Sequence, residues 1–164
     1  MSREWRSAVV GAGTVGEWHV RLVGTGHVPN VKLVAVCDKK PERAQAALAA
    51  HNLTGIPVYT EEAELLKREQ LDVIHVCTPS GEHFEPALLG IQSGVNVICE
   101  KPMEIRLERI DRLGEEAQKR GVRIAGRSPK PISSRSWART VRAAGGEIST
   151  SASNGRSRTS SRPT

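Results

Sequence analysis

Apolar residues in this chain gather in short, nearly unbroken runs separated by stretches of looser, helix-like spacing. The runs at residues 8–10, 31–37, 71–77 and 95–99 contain few polar interruptions, as strands do when both faces of their sheet are covered. Between the first two, Val15, Trp18, Val20, Leu22 and Val23 recur at loosely helical intervals. An alanine-rich stretch at residues 44–50 follows Pro41, which suits a first helical turn. Ile56-Pro57-Val58-Tyr59 predicts a short third strand, confined by its proline to a sheet border or a strand start. Thr60 then offers a hydroxyl cap, and Glu61, Glu62 and Glu64 offer first-turn carboxylates, for a short helix ending near Arg68. Residues 83–93 and 105–120 predict two further helices closed by Gly94 and Gly121, and residues 122–125 a sixth strand. Strands alternating with helices at this interval predict an α/β fold with a doubly wound parallel sheet in the order 3-2-1-4-5-6.

The turn after the first run sharpens that picture. Gly11-Ala12-Gly13-Thr14-Val15-Gly16 stands between a strand and a helix, the context in which a glycine pattern of this spacing binds a dinucleotide. Gly11 permits the tight turn, Gly13 lets a pyrophosphate approach the backbone, and Gly16 lets the helix pack close on the strand. The helix mouth supplies free N–H groups and a positive dipole end. Asp38 closes the second apolar run 22 residues after Gly16, the distance expected of a carboxylate that grips ribose hydroxyls. That carboxylate repels a 2′-phosphate and favours NAD, while Lys39, Lys40 and Arg43 nearby leave NADP open. These features predict a Rossmann domain.

Charge and composition limit the alternatives. The net charge of +6 lies in the tail: residues 1–126 carry 16 basic and 17 acidic side chains, against 8 and 1 in residues 127–164. The first segment therefore has no electrostatic reason to prefer nucleic acid, which is disfavoured as a partner and stands only as a lesser alternative reading through the basic tail. No apolar stretch approaches a membrane span, and the N-terminus lacks the apolar block of a signal peptide, so a cytoplasmic location is expected. Cys37, Cys77 and Cys99 show no paired spacing and each ends an apolar run, which predicts reduced, buried thiols with no metal bound. His75, midway along the fourth run, is expected in or near the core. From residue 127 onward Ser, Thr, Arg and Gly dominate, and between residues 133 and 164 only Trp137, Val141 and Ile148 bring sizeable apolar area. That is too little to offset the entropy of ordering a domain. Residues 1–126 are expected to form the dinucleotide-binding domain, and 127–164 a poorly ordered basic tail that reads as a frameshifted or truncated sequence.

Three motifs in register point to a family. Gly11-Ala12-Gly13-Thr14-Val15-Gly16, Cys77-Thr78-Pro79-Ser80-Gly81-Glu82-His83 and Val97-Ile98-Cys99-Glu100-Lys101-Pro102-Met103 together resemble the Gfo/Idh/MocA oxidoreductases, over residues 7 to about 126. The resemblance implies hydride transfer between a nicotinamide dinucleotide and a sugar, cyclitol or related alcohol. It matches Gly11, Gly13, Thr14, Val15 and Gly16 to the pyrophosphate loop and Asp38 to the ribose anchor. It matches Thr78, Pro79 and His83 to positions lining the cofactor, and Glu100 and Lys101 to positions beside the nicotinamide. Lys101 is the one position matched to a catalytic role, hydrogen-bonding the reacting hydroxyl. Full-length members carry the substrate pocket in a second α/β domain that is not visible in this sequence, so a non-catalytic dinucleotide-binding module stands as the alternative. Oligomeric state is left open, a homo-oligomer included.

Overall fold

The computed structural model describes residues 3–126. The expectations for the tail fall outside them. Six strands, β1 (Trp5–Val10), β2 (Val31–Cys37), β3 (Val58–Tyr59), β4 (Val73–Val76), β5 (Asn96–Cys99) and β6 (Ile124–Gly126), are joined by α1 (Thr14–Gly24), α2 (Pro41–Ala50), α3 (Glu62–Arg68), α4 (Phe84–Gln92) and α5 (Leu107–Arg120). Every strand pairing is parallel, and the order is β3-β2-β1-β4-β5-β6, as the alternating pattern predicts. Gly94 and Gly121 follow α4 and α5 with positive φ angles of 78° and 68°, the conformation that ends a helix without a Cβ penalty.

Helices cover both faces, which is why the strand runs are so apolar. On one face Ala8, Val10, Ile74, Val76, Val97 and Cys99 meet Leu65 of α3, Ala87 and Ile91 of α4, and Leu113 and Ala117 of α5. On the other, Val9, Leu33, Val36 and Cys77 meet Val20 and Val23 of α1 and Ala44, Ala47 and Leu48 of α2. Strict alternation would put Leu33 and Ala35 on the same face, yet they belong to opposite cores. The register accounts for this: Ser7 faces Leu33 but Ala8 faces Ala35, so Val34 is an extra residue and β2 bulges there. The buried Ser7 hydroxyl donates to the Lys32 carbonyl at 3.2 Å, which satisfies a polar group beside the irregularity.

Two local expectations are corrected. Trp18 and Val15 do not contribute to the buried stripe of α1, being 59% and 47% exposed. The buried face runs through Gly16, Val20 and Val23, and the Arg21 guanidinium stacks 5.3 Å from the Trp18 ring on the outside. Thr60 does not cap α3; Glu61 occupies the N-cap position and makes no side-chain cap hydrogen bond. Glu64 remains in the first turn as a carboxylate to complement the helix dipole. Among the described residues no helix is long and apolar enough to cross a membrane.

Candidate functional site

A parallel sheet delivers the loops after β1, β2, β4 and β5 to one edge, and where the order reverses between β1 and β4 a crevice opens. After β1 the chain turns through Gly11, whose φ is 91° and whose N–H donates to the Cys37 carbonyl at 2.8 Å. A Cβ on Gly11 would lie 2.7 Å from backbone atoms of Cys77 and Thr78, so only glycine lets this turn seat against the end of β4. A Cβ on Gly16 would collide with the Gly11 carbonyl; its absence lets the first turn of α1 dock on the loop. Gly13 differs from both. A Cβ there would meet nothing within 4 Å, because that side opens into the crevice. No side chain caps α1, so its first-turn N–H groups and positive dipole end are available to an anion.

Asp38, buried at the end of β2, binds the loop from its other side. Oδ2 accepts the Ala12 N–H at 2.7 Å and Oδ1 accepts the Lys40 N–H at 2.8 Å. An ionised carboxylate offers about four acceptor positions, so this group braces the glycine turn and still has capacity for hydroxyl donors.

The loops after β4 and β5 are tied together by His83. This ring is only 2% exposed, and its Nε2 lies 2.7 Å from the Thr78 carbonyl and its Nδ1 2.7 Å from the Pro102 carbonyl. A neutral ring donates to one of these acceptors; an imidazolium donates to both. The Lys101–Pro102 peptide is cis. Beyond it, Glu104 accepts N–H bonds from Ile105 at 2.7 Å and Arg106 at 3.3 Å and pairs with Arg109 at 3.2 Å. Those donors, Ile105 first, outweigh burial and hold the Glu104 carboxyl below its ordinary range.

The result is one crevice of about 280 Å³ lined by Gly11, Gly13, Thr14, Val15, Asp38, Thr78, Pro79, His83, Glu100 and Lys101, with Arg43, Cys77 and Ser80. Ten of the positions expected from the sequence thus converge. Gly16 lies behind the lining as a packing position. Lys39 lies outside it: its side chain is 88% exposed, with the ammonium 3.7 Å from the Glu82 carboxylate. Cys77 lines the crevice, but burial first and the Glu100 charge second push its thiol up to about 12, which removes it as a neutral-pH nucleophile. Sequence reasoning missed His19, which approaches Glu100 from α1 at 3.1 Å. The signal was its spacing, three residues after Gly16 and four before Val23, on the inward stripe of the helix.

An uncapped helix mouth, an open glycine side and a buried carboxylate one strand over fit a dinucleotide, and they define an α/β nucleotide-binding domain. The comparisons narrow the class. The chain belongs to the Gfo/Idh/MocA oxidoreductase family, whose NAD-binding Rossmann-fold model matches residues 5–126. It is 34% identical to an inositol 2-dehydrogenase of Streptomyces avermitilis over 76% of this chain and 36% of that protein. It is 32% identical to a D-glucoside 3-dehydrogenase of Escherichia coli over 73% of this chain and 33% of that protein. The chain therefore spans about a third of the length of these curated relatives. The WlbA dehydrogenase of Bordetella pertussis, solved with NADH and UDP-GlcNAcA, superposes with a TM-score of 0.70 at 29% identity, covering 87% of this chain and 43% of the other.

Proposed function

We propose that this chain supplies the cofactor half of a dehydrogenase that moves hydride between NAD and a hydroxyl-bearing carbon of a sugar or cyclitol. The observation that carries the reading is the convergence of Gly13, Asp38 and Lys101 on one crevice at the sheet's switch point. In this reading the N–H groups at the mouth of α1 hold the diphosphate and Asp38 accepts the adenosine ribose hydroxyls. Bound nicotinamide supplies the hydride acceptor. Lys101 Nζ, at the β5 end, hydrogen-bonds the substrate hydroxyl and holds its proton as the C–H bond breaks. The substrate class is supported by the relatives, which are named for inositol and glucoside dehydrogenation. Asp38 selects against a 2′-phosphate, so NAD is the preferred dinucleotide, although Arg43 lines the same crevice. We take residues 1–126 as the dinucleotide-binding domain, and a cytoplasmic setting is consistent with three free thiols.

Calorimetric titration of the purified chain with NADH and NADPH tests the cofactor, with NADH expected to bind more tightly. Asp38→Ala should weaken NADH by about 1 to 3 kcal/mol, the worth of charge-assisted hydrogen bonds. Unchanged affinity in that variant removes Asp38 from the site. Turnover of polyols by the chain, assayed by NADH absorbance, separates a catalyst from a module that binds cofactor only.

A further inference from the structure

The carboxyl end of β5 connects to the core through two imidazoles that the glycine loop does not use. His75, buried on the face of β4 that packs on α1, places Nδ1 3.0 Å from Nδ1 of His19. The two rings meet edge to face with centroids 5.1 Å apart. His19 Nε2 then lies 3.1 Å from Glu100 Oε1, and Glu100 Oε2 accepts the Lys101 N–H at 3.3 Å.

The proton positions follow from what burial leaves unmatched. His75 Nε2 is buried and has no hydrogen-bond partner. Burial, with a smaller contribution from His19, pushes the His75 pKa down to about 4, so near neutral pH this ring carries a single N–H. A proton on Nε2 would be a buried donor with no acceptor, whereas a bare Nε2 lone pair is the lesser loss. The proton therefore sits on His75 Nδ1 and is donated to His19 Nδ1. His19, accepting there, carries its own proton on Nε2 and donates it to Glu100. Every step of the chain points toward the carboxylate.

We propose that His19 is a positioning residue of the cofactor site, holding the Glu100 carboxylate in place so that the crevice favours the oxidised, cationic nicotinamide over the reduced, neutral one. The sheet order supports this placement. Asp38 ends β2, Gly13 follows β1, Thr78 follows β4 and Glu100 follows β5, so the four sites succeed one another across the edge. With a ribose at Asp38 and a diphosphate over Gly13, the second nucleoside falls on the β4–β5 side. A fixed anion there attracts a positive ring and is indifferent to a neutral one. The side chains of His19 and Glu100 are only 17% and 11% exposed, so solvent and salt screen the interaction little. This inference rests on the dinucleotide reading above.

Two measurements on the full chain test it. Nitrogen-15 shifts of the imidazoles, read without cofactor, should show His75 protonated on Nδ1 and His19 on Nε2; His75 protonated on Nε2 would overturn the relay. The second is the affinity for NAD⁺ and for NADH, taken separately. Glu100→Gln should weaken NAD⁺ about tenfold and NADH less than about threefold. His19→Ala should shift the ratio the same way, and His19→Gln, which keeps an N–H donor near the Nε2 position, should restore it. A wild-type chain that binds neither form sinks the dinucleotide reading itself. Binding of both forms by the wild type, with a ratio unmoved by His19→Ala, sinks the present proposal alone.

Discussion

The three glycines of the first turn share a residue type and differ in what surrounds them, so their substitutions should separate. Valine at Gly13 enters open space and leaves the packing of the domain intact, yet it fills the volume a diphosphate needs. Gly13→Val is expected to keep its melting temperature within about 2 °C and to lose NADH affinity at least tenfold. Alanine at Gly16, the smallest change available there, drives a methyl into the Gly11 carbonyl. Gly16→Ala should lower stability by about 2 kcal/mol or more, because backbone cannot give way as a flexible side chain does. Thermal unfolding beside NADH titration checks both, and a Gly13 variant that binds normally would contradict the loop geometry. His83 shows the same dependence on setting. The family resemblance matches it to a lining position, and in the fold it lines the crevice while holding the Thr78 and Pro102 carbonyls together.

At the scale of single elements, periodicity was a good guide where one face was clearly apolar and a poor one where packing chose the phase. The six strands and five helices lie where the runs and glycines place them. The phase of α1 did not follow from its apolar residues, since Trp18 faces outward and the close approach at Gly16 sets the rotation instead. The bulge at Val34 was equally hidden, because an all-apolar strand reads the same with or without an extra residue. At the site, the glycine loop and Asp38 were legible because each needs a particular residue at a particular spacing, and the Glu-Lys-Pro segment was legible through its resemblance to a family motif. His19 was not, since its partners come from β4 and β5 and only the folded sheet brings them to α1. The first turn of α3 carries a measurable consequence. Burial alone pushes the Glu62 carboxyl from 4.5 up to about 8, and Oε1 has no hydrogen-bond partner. Between those values the folded chain holds a proton that the unfolded chain has released. This contribution to stability is whole below pH 4.5 and is lost as pH rises through 8. Glu62→Gln should abolish that decline and stabilise the chain by about 2 to 3 kcal/mol above pH 8, measured by urea unfolding across the range. A parent and variant with parallel pH profiles would disprove it.

For the domain as a whole, covering the sheet on both sides decides the chemistry of its sulfur. Cys37, Cys77 and Cys99 all sit in the cores as free thiols. Burial first, and neighbouring carboxylates after it, push each of them up to about 12. In the native chain at pH 8 all three should resist iodoacetamide for hours, and all three should react within minutes in denaturant, read as added mass. Rapid native labelling of Cys37 or Cys99 would show that its core opens. Among the described residues, the lining of the candidate site gathers at the carboxyl edge of that covered sheet.

The sheet is also brief at both of its rims. β3 contributes two residues, directly after Pro57, and β6 contributes three. A foreign strand arriving at either rim finds only two or three described residues to zip onto. Among the described residues neither border of this sheet is long enough to seed fibre growth, so concentrated stocks of the folded domain should stay free of the dye-binding filaments that long bare rims nucleate.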